Sequence, residues 1–380
     1  LKIAIIGGGI GGLCAAVGLQ KRQIEVEVFE AAPTFLPVGA GIGIGSNAMQ
    51  ALMKMGVGEK VYTNGTTLTT QVFQNSSGKI LNTIDFSAIK RLYGQENITI
   101  QRSDLHSTLL ETLVEGTVQY SKKCIDVVSE DTQVTAFFED GTYVTADLLI
   151  AADGIHSPIR QKLIPDSAPR YAGYMCWRGV AENNGGVDEH TSCEIWATSG
   201  RFGYAPLKNG QVYWFACVNA HENDTFYHTL GRKEIARLFE KFPAHVADLI
   251  LDTKPDVILH HDLKDIRPLK KFAYGRIVLL GDAAHATTPN MGQGAGQSIE
   301  DALVLSTALA EFTDFKDALQ HYENERVART AKVISLSRQI GWSAQFSSPI
   351  LAKARDIAFP FIPSKALLWR LKFLFDVKLK

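Results

Sequence analysis

The chain opens with a short β-branched run, Lys2-Ile-Ala-Ile-Ile6, followed at once by Gly7-Gly-Gly-Ile-Gly-Gly12 and an Ala- and Leu-rich stretch at residues 13–20. That order constrains the fold more than anything else in the sequence. A strand buried on both faces, a glycine turn and a helix make the first half of a βαβ unit, and Glu25-Val-Glu-Val-Phe-Glu30 supplies the second strand. Gly7, Gly9 and Gly12 form a G-x-G-x-x-G fingerprint in its required setting. Its glycines allow a tight turn, close approach of a pyrophosphate and close helix–strand packing, with the phosphate at the positive end of the helix. Glu30 ends the second strand 18 residues after Gly12, where an acid accepts ribose hydroxyls. The fingerprint alone does not choose between FAD and NAD. Residues 3–19 are also uncharged behind Lys2, which has the outline of a signal peptide, but the central glycines would spoil a membrane helix. Neither a signal nor a transmembrane span is expected.

A chain of 380 residues exceeds one ordinary core, and its character changes along its length. Further apolar strands are expected at 147–151, after a hairpin at Asp140-Gly141, and at 276–280. Between them, residues 171–218 alternate aromatic and polar positions with glycine breaks, the pattern of an antiparallel sheet. The expected fold is α/β: a Rossmann-like domain with a parallel sheet (1–70, 99–170 and 270–345), interrupted by a β-rich substrate domain (71–98 and 171–269), with a C-terminal helical tail (346–380). Lys and Arg total 39 against 40 acids, so a nucleic-acid partner, which would require a basic excess, is not expected. Five scattered cysteines without a CxxC pair fit a reduced, cytoplasmic protein, and without HExxH among ten histidines no metal site is expected.

Two later motifs carry chemistry. Asp153-Gly-Ile-His-Ser157-Pro-Ile-Arg160 follows the strand at 147–151. Gly281-Asp282-Ala-Ala-His285 follows the strand at 276–280 and leads through Pro289-Asn290-Met-Gly292-Gln-Gly294-Ala295-Gly296 to an acidic helix start, Glu300-Asp301. Asp282 is placed to bind a ribityl or ribose hydroxyl, and the glycine loop can bring backbone N–H groups up to a flat, anion-prone ring.

In this order and at these distances, GxGxxG, DGxxSxxR and GDAAH with PxxGxG resemble the class A FAD-dependent flavoprotein monooxygenases, the aromatic-ring hydroxylase type, over roughly residues 1–340. The salicylate, 3-hydroxybenzoate and urate hydroxylase-like members are nearest in motif. The resemblance implies that Gly7, Gly9, Gly12, Glu30 and the backbone of Ala31 bind the ADP half of FAD. Arg102, in Gln-Arg-Ser-Asp-Leu105, resembles an arginine that contacts the flavin cofactor, with a solvated arginine at a helix N-cap region as the alternative reading. Asp153 and Arg160 lie in a motif used for both FAD and NAD(P)H. Asp282 resembles the residue on the ribityl chain and pyrophosphate, and Gly292, Gly294 and Ala295 the loop beside the isoalloxazine. Pro289 resembles a proline whose carbonyl faces the substrate. His285 is expected to support the cofactor loop and not to act as a base. The implied reaction uses NADH or NADPH to reduce FAD; the reduced flavin takes up O₂, and a C4a-hydroperoxide delivers one oxygen to a small aromatic or other electron-rich planar substrate.

Substrate residues must come from the β-rich insert and the flavin loop. Arg201 can anchor a carboxylate or phenolate, with a surface hairpin arginine as the alternative reading. Trp214 is a further pocket candidate, one strand face lining the pocket and the other facing core or solvent. Urate-hydroxylating members have an aspartate where this chain has Asn290; epoxidising members have the Pro-Asn pair. The basic amphipathic tail, residues 364–380, is expected to pack over the domain junction, with a membrane surface as the alternative. A flavin dehydrogenase or oxidase of related fold, and an epoxidase or drug-inactivating monooxygenase, are the rival functions. Substrate identity, nicotinamide choice and oligomeric state are not legible at this level.

Overall fold

Two sheets organise the molecule, a computed structural model that describes residues 1–35 and 40–377. The first has six strands in the order 273–274, 277–279, 148–151, 2–6, 25–29 and 118–119, parallel throughout except at its first strand. Lys2–Ile6 lies in the middle, with Ile3 opposite Leu148 on one side and Val26 on the other. Ile3 and Ile5 are wholly buried, as a strand covered on both faces requires. The helix Ile10–Gln20 packs on Gly294–Glu311 so closely that a Cβ on Gly18 would stand 2.5 Å from the Ser306 hydroxyl.

The second sheet has seven strands in the order 259–265, 170–182, 211–219, 200–207, 191–197, 70–75 and 80–85. Its last two strands come from an early part of the chain and join through a parallel pairing of Thr191–Ala197 with Thr70–Asn75. Thr66–Leu68, just before them, pairs instead with Asn97–Gln101 in a small sheet that also holds Gly41–Ile44. Helices Arg232–Leu238 and Ala244–Asp252 cover one face of the large sheet over a core of Trp177, Phe202, Trp214 and Phe239. Because side chains alternate along a strand, the opposite face presents Tyr174, Cys176 and Arg178, then Tyr213, Phe215 and Cys217, then Arg201. That face meets the nucleotide-binding half.

The long helix Phe315–Ala344 joins the two halves. The expected acidic helix start at Glu300-Asp301 is corrected by the structure: the helix begins at Gly294, so both acids lie well inside it and are fully buried. They meet two cations from the long helix and a histidine from the 281–285 loop. Arg326 donates to Asp301 (Nε–Oδ1 2.7 Å) and to Glu300, Arg329 donates to Glu300 (2.7 Å), and His285 meets Asp301 (2.5 Å). Burial opposes ionisation of Asp301, but His285 and Arg326 overcome it and hold the carboxyl down at about 2.

The tail forms two helices, Pro349–Ala358 and Ser364–Phe375. Leu374 and Phe375 pack with Ile84 and Ile89 of the insert and Val333 of the long helix, and Arg329 donates to the Leu374 carbonyl (2.7 Å). The tail thus packs across the junction of the two halves.

Arg326→Met should cost about 3–5 kcal/mol in chemical denaturation, because it removes the one cation that both buried carboxylates share. The native Asp301 pKa lies below the unfolded value of about 3.9, so its contribution is complete above that pH. Acid titration of wild-type stability should show that contribution disappearing as pH falls from about 4 to about 2, and Arg326→Met should show a smaller loss over the same window.

Candidate cofactor and substrate site

The cofactor cleft is built at the carboxyl ends of the parallel strands, where ligands bind in open α/β sheets. Gly7 has φ +107°, and a Cβ there would lie 2.3 Å from the Ala152 carbonyl oxygen; one on Gly12 would lie 2.0 Å from the Gly7 carbonyl oxygen. These two glycines shape the turn. Gly9 differs: its backbone is extended, and a Cβ would meet nothing within 4 Å. That open position faces the space a pyrophosphate needs at the N-terminus of Ile10–Gln20. Glu30 is fixed by two backbone donors, Gly8 N–H (2.7 Å) and Ala32 N–H (2.8 Å), which orient its carboxylate at the cleft beside the exposed Ala31. His106 supports the turn from below through Nε2 and the Gly8 carbonyl (2.7 Å), and its ring stacks on Phe35. Sequence reading missed His106; its place four residues into a helix that follows a strand was the only signal.

Arg102 opens the helix Arg102–Leu110 and is exposed, close enough to Asp282 and His261 to act on both. Asp282 is open to solvent along the cleft yet lies deep in the molecule. The surrounding protein raises its carboxyl, against His285, Arg102 and Arg160. Asp153 is half-buried with neither oxygen accepting a well-formed hydrogen bond, and burial raises its carboxyl too. Arg160 does not reach the cleft. It is fully buried and donates to the Ile155 carbonyl (2.6 Å), the Ser167 hydroxyl (3.2 Å) and the Ala283 carbonyl (3.3 Å), so it ties the 153–160 loop to the 281–285 loop. The expected ligand contact is thereby corrected to a positioning role. His285 is likewise a support, held on Asp301.

Pro289–Met291 forms a single 3-10 turn, Gly292 takes φ +60° with open space about it, and Gly294 and Ala295 start the helix Gly294–Glu311. The first amides of that helix have no partner within it and are free for a ligand. An open pyrophosphate position, a fixed ribose-facing acid, a cleft carboxylate in Asp282 and this helix start together fit FAD, a dinucleotide with a flat ring at one end.

Opposite the loop lies the inner face of the large sheet. Arg201 is inside the strand Gly200–Leu207 and 1% exposed, which rules out a surface hairpin arginine. Its guanidinium lies 5.9 Å from the Tyr174 ring and 5.4 Å from the Phe215 ring. Glu194 is an ion-pair partner at 3.3 Å from Nη1 without hydrogen-bond geometry, and Nε and Nη1 are left without hydrogen-bond partners. Tyr174 meets Asn290 (Oη–Nδ2 2.9 Å), and Asn290 also donates to the Thr288 hydroxyl (2.9 Å) and the Ser337 carbonyl (2.8 Å). Arg201, Tyr174 and Asn290 therefore connect the sheet to the flavin-facing loop. Trp214 is corrected: it points to the other face, buried against Phe202 and donating to the Thr253 hydroxyl (2.7 Å). Its neighbours Tyr213 and Phe215 face inward instead.

Sequence reading missed Arg178 and the thiols of Cys176 and Cys217, which share the inner face. An arginine in the apolar run Met175-Cys-Trp-Arg-Gly-Val180, in step with Tyr174, was the available signal. Burial opposes ionisation of Cys176, yet the Cys217 thiol and Arg178 draw it down to about 6.

Gly9→Ala should fold as the wild type does, since its methyl meets no protein atom, yet lose most of its bound FAD. Gly12→Ala should lose FAD and stability together. Flavin content and thermal melts of the two apoproteins separate these outcomes.

Comparison with known proteins agrees with this geometry. The FAD binding domain family model matches residues 1–337. The chain is 35% identical to the aurachin C monooxygenase/isomerase of Stigmatella aurantiaca, covering 94% of this chain and 93% of that protein. It is 31% identical to an FAD-dependent urate hydroxylase of Klebsiella pneumoniae, over 89% of each. The solved structure of Klebsiella pneumoniae HpxO complexed with FAD and uric acid superposes with a TM-score of 0.90 at 27% identity, covering 100% of this chain and 98% of that one. A match over most of the chain, on a fold whose cleft fits FAD, makes this protein a member of the FAD-binding flavoprotein monooxygenases of the aromatic-ring hydroxylase type.

Proposed function

We propose that the chain inserts one oxygen atom into a small planar, electron-rich substrate held between the inner face of the large sheet and the loop at 289–295, with Arg201 as its anchor. The observation that carries this reading is a fully buried guanidinium on that face with two nitrogens unpartnered by hydrogen bonds. Such a group is costly unless a ligand completes it, and a carboxylate or phenolate does so with charge-assisted bonds. Bound FAD, reduced by NADH or NADPH, supplies the oxygen chemistry from O₂.

The chain's own residues supply position. Gly7, Gly9, Gly12, Glu30 and Arg102 hold the nucleotide half. Asp282 orients the chain leading to the ring, and the amides at Gly294 and Ala295 face the ring itself, beside a turn that the Gly292 amide closes on the Pro289 carbonyl (2.9 Å). Arg160 keeps the two loops in register, and Asp153 lies between them. Tyr174 and Phe215 give the substrate ring an aromatic wall beside Arg201. Burial raises the Tyr174 phenol, against Arg201, so it stays neutral and serves as a hydrogen-bonding wall. Pro289 borders the substrate space, and Asn290 presents a neutral amide, so it offers no proton acceptor. A phenolate or carboxylate that arrives already ionised suits this pocket better than a substrate needing a base.

The direct test is NAD(P)H oxidation by the FAD-loaded protein in air across phenols, aromatic acids and urate, with product mass recorded. A product one oxygen heavier supports the reading; flavin bound with no oxygenated product from any compound shifts weight to a dehydrogenase. Arg201→Gln should raise KM for an anionic substrate about 10- to 100-fold, the loss of one charged hydrogen-bonding partner, with flavin content unchanged. Asn290→Asp, nearly isosteric, should add a pH dependence to kcat that the wild type lacks.

A further inference from the structure

Two thiols face each other across the middle of the inner sheet face. Cys176 stands directly opposite Cys217, in an antiparallel register that runs unbroken from Tyr174 and Asn219 to Glu182 and Gln211. Directly opposed residues in such a pair have Cα atoms about 4.5–5.5 Å apart, inside the span of about 4.4–6.8 Å that a disulfide bridges. Both side chains are buried beside Tyr174, Phe215 and Leu263, on the face that carries Arg201. The other three cysteines have no such neighbour: Cys193 stands opposite Tyr204 and Val72, Cys124 opposite Phe138, and Cys14 lies in a helix.

A buried cysteine that only packs is inert. This pair is flanked by two guanidinium groups instead. Arg201 donates from Nη2 to the Cys217 sulfur (3.8 Å), and Arg178, two residues along the strand from Cys176, has its Nε buried without a hydrogen-bond partner. The effect on the five thiols is unequal. Burial pushes Cys14, Cys124 and Cys193 up, and it pushes Cys217 up as well, helped by Cys176. Burial opposes ionisation of Cys176 too, but there Cys217, Arg178 and Arg201 overcome it. An acidified thiol beside one that keeps its proton is the pairing of an attacking sulfur with a resolving sulfur. An oxidant of matching chemistry arises in the same pocket: bound FAD gives hydrogen peroxide when its electrons reach O₂ without a substrate to oxygenate.

We propose that Cys176 and Cys217 form a peroxide-trapping dithiol built into the substrate face, a site of reversible oxidation that closes to a disulfide. The Cys176 sulfur attacks one oxygen of hydrogen peroxide; the O–O bond breaks, water leaves, and Cys176 becomes a sulfenic acid. The Cys217 sulfur then attacks the Cys176 sulfur, the S–S bond forms, and the sulfenic oxygen departs as a second water. Two thiols thus give up two electrons and two protons, and one peroxide is reduced to two waters. A dithiol reductant reverses the change by exchange. The inference rests on the monooxygenase reading only for the source of the peroxide.

Hydrogen peroxide added to the FAD-loaded full chain, followed by denaturation and thiol titration, should lower the five free thiols by two. Digestion without reductant should then release the peptides of Cys176 and Cys217 joined, about 2 Da lighter than the two thiol peptides together, and dithiothreitol should restore both. Cys217→Ser should stop at a Cys176 sulfenic acid that dimedone traps, whereas Cys176→Ser should trap none. Five thiols left after peroxide, or losses at Cys14, Cys124 or Cys193 without the 176–217 bridge, would overturn the proposal. For the source, prolonged exposure to NADH or NADPH in air without substrate should form the same bridge even with catalase in solution, because the peroxide arises beside the pair. Full protection by catalase would overturn an internal source. A flavin that neither nucleotide reduces counts against the monooxygenase reading, and the peroxide titration still decides the dithiol.

Discussion

Two adjacent carboxylates, Glu300 and Asp301, sit with no exposure in the middle of one helix, and their neutralisation by Arg326 and Arg329, with His285 bonded to Asp301, is what the rest of the molecule is arranged around. An acid pair in that position is tolerable only if cations and hydrogen-bond donors reach it, and these come from three places in the chain. Arg326 and Arg329 fix the long helix Phe315–Ala344 against the nucleotide-binding half. His285 and the Gly281 amide, 3.0 Å from Asp301, fix the loop that carries Asp282. Asn47 reaches Glu300 (2.5 Å) from the helix Ser46–Met55, and Arg329 continues to the tail. One electrostatic cluster thus sets the helix start at Gly294, the cofactor loop at 281–285 and the end of the long helix that supplies Ser337 to Asn290.

The cofactor half was readable because its chemistry is local. Gly7 and Gly12 are required by the turn they sit in, and Glu30 by the strand it ends, so neighbours in sequence carry the argument. What failed to be legible depends on partners far along the chain. Arg160 reads as a ligand contact in its motif, but the carbonyls that capture it belong partly to a loop more than a hundred residues away. Trp214 and Phe215 are adjacent and alike in character, and only the helices over one sheet face decide that Trp214 is core. The buried acids carried no warning, since an acidic pair near a glycine-rich loop reads most simply as a helix cap. Arg201 was identified, and its burial emerged only with the strand pairing that puts Cys217 beside it.

Asn290 shows how a single amide can redefine a pocket without reshaping it. It is held from three directions by Tyr174, Thr288 and Ser337, and Gly341 is bare beside it, a Cβ there coming within 2.4 Å of its amide nitrogen. The neutral residue is therefore built in, with a packing niche of its own. A pocket so fixed favours substrates that bring their own charge to Arg201.

The order of strands in the parallel sheet carries a consequence for how the protein is made. Lys2–Ile6 pairs with Glu25–Phe29 at once but waits for Leu148–Ala151 on its other edge, and that strand waits for Ile277–Leu279. The whole seven-stranded sheet, residues 70 to 265, is synthesised in between. The insert can therefore complete its own sheet while the nucleotide-binding half is still an open edge, and the cofactor cleft closes only after residue 279 has emerged. An enzyme of this design is assembled around its inserted sheet, with one edge of an early strand left open until a partner far along the chain arrives.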